Sequence, residues 1–353
     1  MKYGDFMKCN VDLIAKLCNA YGVPGRENEV ALIIEKEFKR YGYTVERDWI
    51  GNVIAYKGKT PPKNPIMIGA HMDEIGLMVK QIDKSGFVHF AKIGGIDDRT
   101  LINQRVIIST KSGPIAGVIG NKPPHLMKDE ERKRTIEKEN LFIDVGAENA
   151  KEMKKRGIEI GDPISFDIEF KLLSEKTFTG KALDNRIGCY ALLELAKECK
   201  NPGVVFVGTS QEEVSSMGKG AMLAAYKITP VKFIAVDTTI AGDHPGIKED
   251  ESNISLFEGP TIVLIEAGGR GNVSDMKLIN EFTSAAKRLK MKYQLEVFES
   301  GATDAASVYR VKEGIPSIAI CVPTRYIHSN VSLASFKDIE DTIRLVGEYI
   351  KKK

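Results

Sequence analysis

The residues of this chain whose types and spacing could do chemistry are His71 and Asp73 after the run "PIMIGA", Asp184 in "ALDNRIG", Glu212 and Glu213 after "VVFVGTS", Asp237 after "KFIAV", and His328 after "SIAICVPTRY". Imidazole nitrogen and carboxylate oxygen are the donors that bind zinc or cobalt. Taken singly, each residue has a structural reading. A histidine at a strand end can be a hydrogen-bonded packing group, Asp184 before an apolar helix can be an N-cap, and Asp237 can be a turn residue before Thr238 and Thr239. Glu212 and Glu213 can be a solvated strand terminus. Independent turns would seldom place acids and histidines at every sheet terminus of one domain, so the joint pattern points to a metal site. Two like charges side by side at the end of a buried run raise the question of what makes them tolerable there.

Such residues need a sheet to bring them together, and in an open α/β sheet functional groups collect past the carboxyl ends of the strands. Val11, Ile14, Leu17 and Cys18 recur at helical spacing, Gly22 is placed to stop that helix, and the pattern repeats from Val30 to Phe38. "GNVIAYKG" and "PIMIGAHMDEIGLMV" read as strands, the second apolar enough to be buried on both faces. Residues 75–175 change texture to short alternating runs, "FVHFAKI", "RVIIST", "PIAGVIG", "LFIDVG" and "PISFDIEF", which predict a small β-barrel or sandwich. Within them the charged segment "NKPPHLMKDEERKRTIEKEN" is expected to be a mobile loop. From "TGKALDNRIGCYALLELAKE" onward strands alternate with helices up to a final helix ending at Lys353. The expected fold is α/β, a mostly parallel central sheet flanked by helices with an inserted small all-β, barrel-like domain. Residues 1–74 and 176–353 would form the catalytic α/β domain and 75–175 the insertion.

The 353 residues carry 51 Lys and Arg against 48 Asp and Glu, a formal charge of +3, with the signs interleaved. No basic stripe is available for phosphates to follow, so nucleic acid is not an expected partner. Asp5, Asn10, Asp12 and Lys16 interrupt any signal-peptide core, and no apolar run approaches the roughly 18 residues of a membrane span. A soluble, cytoplasmic protein with no membrane partner is expected. Cys9, Cys18, Cys189, Cys199 and Cys321 contain no CxxC pair and read as buried small hydrophobes in a reducing compartment.

The blocks "GAHMDEIG", "ALDNRIG", "TSQEEVSSMGKGA", "AVDTTIAGDHPG", "GATDAAS" and "RYIHS" resemble, in order and over nearly the whole chain, the motifs of the tetrahedral (TET) aminopeptidases. These are dinuclear co-catalytic metallopeptidases that include glutamyl, leucyl and deblocking aminopeptidases, and some members carry an endoglucanase label. The resemblance implies two divalent ions per subunit, zinc or cobalt. His71 and Asp237 would hold one, Glu213 and His328 the other, and Asp184 would bridge them. It further implies Glu212 as general base, with Asp73 behind His71. Residues i and i+2 of a strand point the same way, so Asp73 could fix the His71 tautomer. Dimers would form through the inserted domain and assemble into a tetrahedral homododecamer whose chamber admits short peptides.

The expected activity is removal of N-terminal residues from short peptides. The alternatives are a metal-dependent hydrolase of another amide or of a glycan, and a non-catalytic oligomeric scaffold that keeps metal for stability. A glycosidase would use two carboxylates without a metal, and a structural site has no need of a non-ligand base such as Glu212. His89 and His125 in the insertion are expected to be structural. His244 has a rim or substrate role competing with a structural one, and Arg270 is expected to pair with a neighbouring acid.

Overall fold

The computed structural model describes residues 9–214 and 219–351. Residues 1–8, 215–218 and 352–353, which include Asp5, part of the block after Glu213 and the last two lysines of the expected final helix, lie outside the described residues. Helices α1 (Val11–Asn19) and α2 (Asn28–Arg40) lead into strands β1 (Thr44–Arg47), β2 (Val53–Tyr56) and β3 (Ile66–His71). The chain then runs through β4 (Gly76–Ile82), β5 (Val88–Ile93), β6 (Arg105–Thr110) and β7 (Gly113–Gly120), the short helix α3 (Asp129–Arg132), β8 (Phe142–Asp144), α4 (Ala150–Lys155) and β9 (Pro163–Phe166). It returns through β10 (Lys171–Leu172), β11 (Thr177–Gly180), α5 (Leu183–Glu198), β12 (Val204–Thr209), α6 (Lys219–Ile228), β13 (Lys232–Ile240) and β14 (Thr261–Ile265). Helix α7 (Met276–Leu289), β15 (Gln294–Val297), α8 (Ala305–Val308), β16 (Ser317–Arg325), β17 (Ser332–Ser335) and α9 (Phe336–Lys351) complete it.

Two sheets result. The large one has the order β1-β2-β12-β3-β13-β16-β17-β11-β10, with β14 and β15 attached beside β16. Its centre, β12-β3-β13-β16, is parallel and the strands that flank it in that order pair antiparallel, while β14 pairs antiparallel with β16 and parallel with β15. The central strands are apolar without alternation because both faces are covered. Ile68, Phe206, Ile234 and Ile320 pack against α1, α5 and α9 on one side, while Met67, Val205, Phe233 and Ala319 face α6 and α8 on the other. The insertion closes as a barrel, β4-β5-β8-β7-β6-β9, around Leu77, Val88, Phe90, Val106, Ile119, Ile143 and Ile164. The charged 121–140 segment, expected to be a loop, contains α3 and two 3-10 turns at Pro124–Leu126 and Lys138–Asn140.

Residues just past β3 are clamped to the C-terminal end of α1 by a fully buried ion cluster. Glu74 accepts from Lys181 Nζ at 2.8 and 2.9 Å and has Arg186 Nη2 at 3.4 Å. Arg186 also donates to the carbonyls of Met72, Leu17 and Ala20, and Lys181 to that of Ala20. Burial lowers the Lys181 pKa, with Glu74 opposing the shift. Removing one partner of such a cluster strands the others away from water, so Glu74→Gln should cost about 3–5 kcal/mol in urea unfolding. A loss below about 1 kcal/mol would show the cluster to be incidental.

Candidate metal centre

Strand register brings the site together. In the parallel ladder His71, the last residue of β3, stands beside Thr209, the last of β12, and Asp237 on β13 stands beside Cys321 on β16. Glu212 and Glu213 follow in the turn after β12. Asp237 lies inside its strand and is no turn residue. Asp184 does not cap a helix: it has ψ 106° within the non-helical start of α5, the capping place belongs to Ala182, and the Asp184–Asn185 peptide is cis. His328 lies in the turn between β16 and β17 with φ +57°.

All five implied ligands, with Glu212 and Asp73, meet in one place. His71 Nε2 lies 3.2 Å from Asp184 Oδ1, 3.6 Å from Asp237 Oδ1 and 4.0 Å from Glu212 Oε2. His328 Nε2 lies 3.6 Å from Asp184 Oδ2 and 3.7 Å from Glu213 Oε2. The two oxygens of Asp184 therefore face different histidines. Ligand atoms of His71, Asp184 and Glu213 fall within 4.8 Å of one another. Donors about 2.0–2.2 Å from a tetrahedral ion stand roughly 3.3–3.6 Å apart, so these spacings suit a shared cation.

Electrostatics points the same way. Burial, reinforced by neighbouring acids, pushes Glu212, Glu213 and Asp237 well above the usual carboxylate range, although His71 opposes it. Burial would lower His71, yet Asp237, Asp184, Asp73 and Glu212 outweigh it and raise the imidazole. Burial likewise opposes ionisation of Asp184, but its bond to His71 and the fields of both histidines hold it below normal. Among the described residues these carboxylates form ion pairs with histidine and none with Lys or Arg. Buried negative charge without a fixed cation is costly, and the donor set fits a bound divalent ion.

The supporting residues were only partly foreseen. Asp73 Oδ1 is 3.5 Å from His71 Nδ1, beyond ordinary hydrogen-bond length. Its oxygens also accept from the Glu212 and Glu213 amides at 3.1 and 3.0 Å. His328 Nδ1 lies 3.1 Å from the Gly95 carbonyl, so a donated N–H there leaves Nε2 free toward the acids. Gly95 follows β5, so the insertion supports the site directly. A Cβ at Gly95 would stand 2.9 Å from His328 Nδ1. Asp304, in the block "GATDAAS", accepts from Thr209 Oγ1 at 2.5 Å, and burial raises it to about 6. Glu296, read from sequence only as part of a strand, accepts from Thr239 Oγ1 at 2.7 and 2.8 Å, and burial pushes it up to about 7. The alternation of β13 puts Thr239 on the face of Asp237, a signal that was available; the partner Glu296 was not.

Other expected roles separate from the centre. His89 is partly exposed, with Nε2 3.6 Å from Asp83 Oδ2, and His125 is exposed in a 3-10 turn. His244 packs its ring on Tyr326, two residues before His328, with centroids 4.9 Å apart. Cys18, Cys189, Cys199 and Cys321 are buried thiols and Cys9 is half-buried.

The sequence profile of the M42 glutamyl aminopeptidases matches residues 51–345. This chain belongs to the M42 family. It is an aminopeptidase, a hydrolase of peptide bonds. The lysyl aminopeptidase of Pyrococcus furiosus is 33% identical, over 97% of this chain and 96% of its own. An aminopeptidase structure from the archaeon Desulfurococcus kamchatkensis superposes with TM-score 0.91 at 36% identity, covering 97% of this chain and 94% of that one. The Pyrococcus horikoshii TET1 peptidase, which can assemble into a tetrahedron or a large octahedral shell, gives TM-score 0.85 at 31% identity over 96% and 98% of the two chains.

Two outcomes follow for this M42 peptidase. Gly95→Ala crowds the His328 ring, and loss of such support behind a histidine implied as a ligand should lower kcat/KM on the preferred aminoacyl p-nitroanilide about 10- to 100-fold. Unchanged kinetics would remove Gly95 from the site. Glu296 has a folded pKa of about 7 against an ordinary 4.5, so its contribution to stability is complete below the unfolded value and is lost as pH rises through the folded one. Glu296→Gln, which can still accept from Thr239, should match wild type near pH 4 and gain on it up to roughly 3 kcal/mol above pH about 7 in denaturant titrations. A pH-independent difference would contradict the buried-acid origin.

Proposed function

We propose that this aminopeptidase releases N-terminal residues from short peptides using two divalent cations, zinc or cobalt. His71 and Asp237 would hold one, Glu213 and His328 the other, and Asp184 both. The observation that carries this reading is that Asp184 turns Oδ1 toward His71 and Oδ2 toward His328, at 3.2 and 3.6 Å. A cation pair, when bound, supplies Lewis acidity for the scissile carbonyl and acidifies water.

The chain's own residues do the rest. Glu212, 4.0 Å from His71 through Oε2, accepts the proton of the attacking water and returns it to the leaving amine. Glu213, one residue on, is turned toward His328 and serves as a ligand, so the adjacent acids divide the work. Asp73 stands behind His71, with Oδ1 3.5 Å from Nδ1, and its carboxylate holds both glutamate amides. The assembly of the TET1 relative and the inserted barrel support self-association, with dimers formed through residues 75–175 and built into a tetrahedral dodecamer. The enclosed chamber would admit unfolded peptides in the cytoplasm.

Hydrolysis of a panel of aminoacyl p-nitroanilides and short peptides tests the reading. Chelation should abolish release and zinc or cobalt should restore it, whereas a metal-free glycosidase would be indifferent. Glu212→Gln should lower kcat about 10²- to 10⁴-fold with metal content unchanged. A fully metallated wild type that cleaves no peptide would overturn the proposal. Light scattering of the native protein should give the mass of twelve chains, and a dimer would refute the dodecamer.

A further inference from the structure

Three consecutive backbone amides lead into the site, and each ends on a buried carboxylate. Glu212 and Glu213 donate to Asp73, as described. The amide before them, Gln211 N–H, donates to Glu27 Oε1 at 3.1 Å, across 184 residues of sequence. Gln211 needs such a hold, since its φ of +60° is in the left-handed region that side-chain-bearing residues enter at a cost.

Glu27 is built for this contact rather than for its own helix. It occupies the position before α2 where a side chain would cap the helix, yet it makes no side-chain cap bond. Its carboxylate turns the other way and Oε1 also accepts from Gly25 N–H at 2.7 Å. Gly25, at φ +76°, packs under the same turn, where a Cβ would stand 3.7 Å from Gln211 Nε2. Glu27 is only 5% exposed, and burial together with the nearby Asp73 pushes its pKa up to about 7.

We infer that Glu27 is a positioning residue for the reaction, holding the left-handed Gln211 so that Glu212 and Glu213 diverge, one toward the reacting atoms and the other toward His328. The inference rests on the reading of Glu212 as the base. With the Gln211 amide released, the turn can relax out of the left-handed region, and misplacing a reacting group by about 1 Å is enough to cost two orders of magnitude in rate.

The experiment compares zinc-loaded wild type with Glu27→Ala and Glu27→Gln. Glu27→Ala should lower kcat about 10- to 100-fold, with KM within about twofold and unchanged zinc content and melting temperature. Glu27→Gln keeps an oxygen that accepts both N–H groups and should recover most of the loss. Amide hydrogen exchange provides a readout independent of activity: the Gln211–Glu213 amides should exchange about tenfold faster in Glu27→Ala, with the β12 amides unaffected. If Glu27→Ala does not fold, a Glu27→Asp variant, too short to reach the amide, replaces it with the same expected results. Wild-type kcat in the shorter variants, a loss that only tracks missing zinc, or unchanged exchange at the turn would overturn the inference. Wild type without peptidase activity would refute the aminopeptidase reading instead, and the exchange result would still decide whether Glu27 holds the turn.

Discussion

Mutual repulsion among buried carboxylates is the constraint on which this end of the sheet depends. Asp73, Asp184, Glu212, Glu213, Asp237 and Asp304 converge in one region, where burial pushes Glu212, Glu213, Asp237 and Asp304 toward their neutral forms while the histidines hold Asp184 below the usual range. The fold supplies compensation of three kinds: backbone amides for Asp73, imidazoles for Asp184, and a threonine hydroxyl for Asp304. These partners leave Glu212, Glu213 and Asp237 short of positive charge, and that deficit is what the proposed cations would meet. A cluster costly to folding is thereby preorganised for an electrophile.

The two substructures divide the labour. The parallel centre of the large sheet fixes His71, Asp237 and the start of the glutamate turn, because register leaves no freedom once both faces are packed. The barrel is not a passive appendage, for the carbonyl of Gly95 reaches His328, and Thr100 O accepts from Asn330 Nδ2 in the same turn. The orientation of the His328 ring thus depends on the docking of the inserted barrel.

The cluster was legible largely because its side chains stand at or near the ends of apolar runs, which periodicity locates well. His71, Asp184, Glu212, Glu213, Asp237 and His328 could all be picked out in that way. Less visible were β14, a short run beside glycine-rich turns, β17, whose four residues run directly into α9, and the interior position of Asp237, since β13 continues through polar Thr238 and Thr239. Glu27 and Glu296 were missed because an acid near a helix start or in an edge strand is ordinary in sequence; only a partner brought in from far along the chain sets it apart.

By itself the sequence determined which chemistry was available, imidazoles and carboxylates at strand ends, and which segments formed sheet and barrel, since hydrophobic periodicity and turn residues act over a few positions. Tertiary structure decided what faces what: that Asp184 divides its oxygens between two histidines, that the amides of residues 211 to 213 end on Glu27 and Asp73, and that a glycine of the barrel backs His328. Those contacts join residues up to 233 positions apart, and their geometry exists only once strand register and domain docking have fixed the chain in three dimensions.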